Sequence, residues 1–132
     1  MRAVLTILFI APAVSLAASL PHLRTVPEIN SGLIDVKVAD IIRHECPSIE
    51  GRVFKGLMYF RSLYDDARDM GYSHDEVKTF VDDPIEKQRV HDAAVSYIAE
   101  QGGTLENTQS LCRVGKAEIE QKSRIGSFLK AR

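Results

Sequence analysis

The chain has 132 residues, 45% of them apolar, and 17 bases against 18 acids give a formal charge of −1. That length supports one domain around one core, and a near-neutral balance excludes the basic footprint of a nucleic-acid binder. There is no Gly-x-Ser-x-Gly elbow, no phosphate-loop glycine pattern and no second Cys/His pair at zinc spacing, so the common signatures of nucleophilic, nucleotide and zinc chemistry are missing.

In chain order, the first predicted element is a leader. Arg2 precedes an apolar run over residues 3–14, and Ser15-Leu16-Ala17 puts small residues where a signal peptidase reads. Counted on through Ala18 the stretch is about 16 residues, short of the ~20 needed to span a bilayer, and Pro12 interrupts it. Residues 1–17 are therefore expected to be a secretory signal peptide, cleaved to leave Ala18 first and to export the protein. Loss of Arg2 moves the formal charge to −2. In an exported chain the two cysteines, Cys46 and Cys112, most simply form one disulfide. Two buried free thiols are the alternative.

Residues 18–30 carry Pro21 and Pro27 without a period and read as an extended arm, leaving 31–132 as the helical domain. Ser31 can cap a first helix over 32–45, with Ile34, Val38, Ile41 and Ile42 on one face. Pro47 stops it by pushing residue 46 out of helical angles. Ser48 can cap a second helix over 49–70. Its apolar face is very wide, from Val53 and Phe54 through Leu57, Met58 and Phe60 to Ala67. Such breadth predicts a central helix touching several others. Ser73 and Glu76 form a capping box, with Tyr72 and Val77 as a hydrophobic staple, for a third helix over 74–82. Asp83-Pro84, with Glu86 three residues on, repeats that signal for a fourth helix ending near 101 before Gly102-Gly103. Residues 104–108 read as a polar loop, and a last helix runs from about 109 to 130. No strand pattern is visible. The prediction is an all-α bundle of about five helices.

In the last helix, Leu111, Val114, Gly115, Ile119, Ile125, Gly126 and Leu129 share one arc at 100° per residue. Gly115 and Gly126 are three turns apart, and close approach of another helix would offset the ~1 kcal/mol that each costs against Ala. Gly56 is the expected counterpart. Glu118 and Lys122 fall inside the apolar arc at the favourable i,i+4 spacing. They are either a charge pair facing a groove or ligand, or an edge pair snorkelling to water; a break near Ser123 would move them off the arc. Lys116, Glu118, Lys122 and Arg124 form the candidate interaction surface.

The histidines (His22, His44, His74, His91) read as surface residues. The acidic run 65–69 lacks EF-hand spacing. No metal, cofactor or catalytic residue is expected. Residues 65–106 hold 11 acids against 4 bases, and residues 113–132 hold 6 bases against 2 acids. These are either two solvated faces attracting each other within the fold or a dipolar docking surface.

The stretches VPEINSGL (26–33), ADIIRHECPSI (39–49), GYSHDEV (71–77) and CRVGKAEIEQKSRIGSFL (112–129) resemble the DUF5333 family, small exported proteins of alphaproteobacteria without an assigned activity. The resemblance runs from about Val26 to Leu129. It implies a helical domain and a Cys46–Cys112 bridge, and it carries over no catalytic residue. It also implies an accessory role at the periplasmic face of a respiratory membrane complex, the membrane being reached only through that complex. The residues lead to the expectation of an exported protein-interaction or accessory module with a protein partner, and the resemblance implies that it lies in the periplasm. A periplasmic chaperone or stress protein is the main alternative, ahead of a small-ligand carrier or an enzyme.

Overall fold

The computed structural model describes residues 19–132, so the leader expected over 1–17 lies outside the described residues. After a 3-10 turn at Leu23–Thr25 the elements are α1 (Pro27–Glu45), β1 (Ile49–Gly51), α2 (Val53–Asp69), α3 (His74–Asp82), α4 (Pro84–Glu100), α5 (Thr108–Glu120), α6 (Arg124–Ser127) and β2 (Leu129–Ala131). The protein is an all-α bundle with one very short antiparallel ribbon, in which Ile49 faces Ala131 and Gly51 faces Leu129.

α1 is the hub. It packs against α2, α4, α5 and α6, and its Val38 and Ile42 are fully buried. It starts at Pro27, not after Ser31, so the extended arm expected through residue 30 is corrected. Proline suits the first helical position, where its missing N–H would have no partner anyway and its φ is already helical. The earlier start puts Ile29 beside Leu23, Val26, Leu63 and Phe80 in a second apolar cluster. The helix ends as expected. Cys46, ahead of Pro47, is extended at φ −105° and ψ 110°.

The second helix begins four residues later than predicted. Ser48 caps nothing there; Ile49 instead enters β1 and is 1% exposed, while Leu129 across the ribbon is 2% exposed. The Arg52 N–H donates to the Phe128 carbonyl at 2.7 Å and closes the ribbon onto α2. A three-residue strand has no period to read, which is why the ribbon was not anticipated. Nor is α2 central. Only Leu63 and Ala67 of this helix are buried.

The capping box at α3 is present, with Ser73 and Glu76 each bonded to the other's backbone N–H. Asp83 caps α4 by accepting from the Ile85 N–H at 2.8 Å. Asn107 caps α5 by accepting from the Ser110 N–H at 3.0 Å. The predicted continuous last helix breaks. Lys122 adopts φ +53°, the Lys122 N–H donates to the Ile119 carbonyl, and the Ser123 N–H donates to the Glu118 carbonyl. This is a Schellman stop built on a lysine. Ser123 then caps α6 by accepting from the Gly126 N–H at 2.9 Å. Among the described residues there are six α-helices where about five were expected.

Cys46 and Cys112 are joined, with Cα atoms 5.3 Å apart across a sequence separation of 66. The bridge ties the C-terminal cap of α1 to α5 beside the main core, where Ile42, Ile49, Ile98, Leu111 and Leu129 are essentially inaccessible.

Candidate functional site

The residues predicted to form an interaction surface separate. Glu118 is 2% exposed. It accepts hydrogen bonds from the Tyr97 hydroxyl and the Ser123 hydroxyl, one on each oxygen. It does not pair with Lys122, because the α5 stop turns that residue outward into the left-handed region. Arg124 bonds Asp35 at 3.1 Å and lies over the Tyr59 ring, 5.5 Å from its centroid. Among the described residues, Lys116 and Lys122 make no ion pair. The expected surface is therefore corrected: two of its four members hold the junction of α1, α4, α5 and α6, and two are isolated surface cations.

The electrostatics of this junction agree with a structural role. Burial pushes the Tyr97 hydroxyl far above the usual tyrosine range, and its bond to Glu118 adds to that, so it stays a donor. Burial also raises the Asp35 carboxyl, against the pull of Arg124 and with a further push from Glu118. A buried carboxylate accepting two hydroxyl donors has its desolvation offset only while both stay in place.

A second buried carboxylate, Glu86, was expected to complete a capping box. Asp83 caps alone, and Glu86 turns inward to 3% exposure. It bonds Arg24 from the N-terminal turn and Arg89 Nε at 2.8 Å. Arg89 also donates to Asn30 Oδ1 at 2.7 Å. Burial pushes the Glu86 carboxyl up, but the bonds to Arg89 and Arg24 outweigh it and hold the group below the usual carboxylate range. Because the folded value is depressed, this stability is fully present above the ordinary value near 4.5 and is lost as pH falls through the folded value. Thermal melts between neutral and acid pH are expected to show a smaller acid-induced fall for Glu86→Gln than for the parent. Asp35 works in the opposite sense in both chains, so the difference isolates Glu86. Parallel acid profiles would refute the assignment.

The N-terminal half of the α2 face expected in the core lies in solvent, while Leu63 and Ala67 of that face are buried. Val53, Phe54, Leu57 and Met58 are 59%, 76%, 61% and 47% exposed. At spacings i, i+1, i+4 and i+5 they form one ridge. A groove of about 230 Å³ lies between this helix and α1, lined by Val36, Ala39, Val53, Gly56, Leu57 and Phe60 among others. Past Phe60 lies a second groove of about 360 Å³, where Leu33, Val36, Val81 and Val90 are rimmed by Lys37 and Lys87. A side chain added at Gly56 would meet nothing within 4 Å, so the glycine predicted to receive α5 faces open space. Gly115 instead abuts Ile49 and Ile42, and Gly126 abuts the Glu118 backbone. The sequence did carry a signal for the ridge: a helix apolar nearly all round must find more cover than two neighbours supply. What it could not say is that none of the described residues supplies that cover.

Among the described residues no cluster of three or more metal-ligating side chains occurs. No helix among them is long and apolar enough to cross a membrane. No curated protein and no solved structure matches the chain. The model of a family of unknown function, DUF5333, matches residues 21–130, and the chain belongs to that family.

Proposed function

We propose that the protein is an exported interaction module, periplasmic after loss of residues 1–17, which receives a segment of a protein partner in the groove beside α2. The observation that carries this reading is the apolar channel running past Phe60, whose walls Leu33, Val36, Val81 and Val90 are fixed by α1, α3 and α4. A groove of this kind takes the apolar face of an amphipathic segment. The disulfide supports export, since such bonds persist in oxidising compartments. Lys116 and Arg124 lie on other elements and do not line the groove.

The test places a photoreactive residue at Val36 or Val90 in living cells, with exposed Gln121 as the control position. A discrete adduct from the groove positions, absent at Gln121 and lost on Val36→Glu, is expected. Indiscriminate labelling at all three positions would sink the proposal, as would a chain retained inside the cell with both thiols alkylatable.

A further inference from the structure

The ridge on α2 borders the first groove through Val53 and Leu57, but its outer members Phe54 and Met58 line neither groove, and its chemistry is specific. Phe54 is its most exposed member at 76%, and Val53, Leu57 and Met58 stand beside it. From Arg52 to Tyr64 the sequence has three cations, Arg52, Lys55 and Arg61, and no acid. None of the three makes an ion pair among the described residues, although nine such pairs occur elsewhere in them. The acids of the same helix, Asp65, Asp66 and Asp69, sit at its far end. Within α2 the N-terminal half is therefore an apolar ridge whose own charges are all positive; across the adjoining groove Asp40 is already paired with Lys37 and Arg43.

We propose that this half of α2 rests on an anionic lipid bilayer, with Phe54, Leu57, Val53 and Met58 entering the headgroup boundary and Arg52, Lys55 and Arg61 contacting lipid phosphates. An apolar helix face with Phe and Leu, flanked by Lys and Arg, is the pattern of helices that lie in the interface plane. Each cation near an anionic surface adds to that attraction. A second copy of the chain fits less well. Setting this face against itself brings Arg52, Lys55 and Arg61 together with no acid among them, and like charges at an interface are disfavoured. A protein partner on the ridge alone is limited by area: such a patch is on the order of 400 Å², against ~800 Å² per partner for a stable interface. A bilayer needs no such area, because insertion and phosphate contacts act together. Gly56, with open space where a side chain would be, leaves the groove side of the ridge bare.

The experiment uses the chain as recovered from the exported fraction, with its N-terminus read by mass spectrometry. It is floated with phosphatidylcholine vesicles that contain or lack phosphatidylglycerol. The parent is expected to float only with the anionic vesicles, and less so as salt rises. Phe54→Glu combined with Leu57→Glu should abolish flotation while the circular dichroism spectrum and melting curve stay native. Arg61→Gln should weaken partitioning about fivefold and flatten its salt dependence. Any contribution from residues 1–18 is common to parent and variants. Three outcomes would overturn the proposal: no flotation of the folded parent; flotation unchanged in the Phe54/Leu57 variant; or a parent dimer in light scattering that the same variant dissociates while neither binds vesicles. The groove adducts at Val36 and Val90 are read independently, so failure of one reading leaves the other standing.

Discussion

Replacing Cys46 and Cys112 together by alanine is expected to lower stability by about 4 kcal/mol, an upper guide from the chain entropy released by so long a loop. For a domain that stands ~5–15 kcal/mol above its unfolded state this is a large share, and it corresponds to a fall in melting temperature on the order of 10–20 °C. The bridge acts where the chain most needs closure. It joins the first helix of the domain to the fifth, while the ribbon that pairs Ile49–Gly51 with Leu129–Ala131 lies directly beside it. Without the covalent tie, pairing those strands means closing about the same loop noncovalently, and three residue pairs are a small return. The C-terminal segment from Arg124 onward is therefore expected to lose amide protection first. Hydrogen exchange on the double-alanine variant would check this. Uniform loss of protection across all six helices, or a melting temperature unchanged from the parent, would contradict the role assigned to the bridge.

A comparison of three glycines gives the second large effect. At Gly126 an added Cβ would sit far inside contact distance of the Glu118 carbonyl oxygen and carbon. The obstacle is backbone, at the stop of α5, and it cannot swing aside. Gly126→Ala is expected to cost about 3 kcal/mol or more, the upper range for overpacking, because α6 must lift off α5 and take Ile125 and Phe128 partly out of the core. At Gly115 the obstacles are the Ile49 Cδ1 at 2.5 Å and the Ile42 Cγ2 at 2.8 Å. These are side-chain ends, so Gly115→Ala should cost less, though both isoleucines are tightly buried. Gly56→Ala meets nothing, and removing a helix-interior glycine should add about 1 kcal/mol. Denaturant titration of the three variants gives the order directly. A Gly126→Ala protein as stable as Gly56→Ala would mean that α6 does not cross α5 at this point.

Much of the architecture was readable without coordinates, and the reason is local chemistry. The box of Ser73 and Glu76, the Asp83-Pro84 start and the Cys46-Pro47 stop each work through bonds or clashes spanning at most four residues. Their outcome hardly depends on what packs above them. The readings that failed share a different property. Ser48 has the residue type of a cap, but Ile49 gains more from its strand partner Ala131, 82 residues away, than from a helical turn. Glu86 has the spacing of a capping-box member, but Arg24, 62 residues away, joins Arg89 of the same helix in holding it inside. Glu118 and Lys122 have the spacing of an ion pair. That spacing exists only on a continuous helix, and the helix stops between them because Gly126 lets α6 fold back onto the Glu118 carbonyl.

The candidate site follows the same division. The apolar run of α2 was plain in the sequence, and so was its lack of acids between Arg52 and Tyr64. Periodicity reports how much apolar surface a helix has, not where its cover comes from. By itself the sequence determined the helical class, the stop of α1, the start of α3, the start and end of α4, and the one pairing that two cysteines can make if they pair. Only the tertiary structure decided that α1 and not α2 is the hub, that the last helix folds back on itself, and that Val53, Phe54, Leu57 and Met58 face outward. The physical reason is that burial is a property of the whole packed chain. A side chain is covered only if the rest of the fold reaches it, and here α1, α4, α5 and the ribbon close the core without using that face of α2.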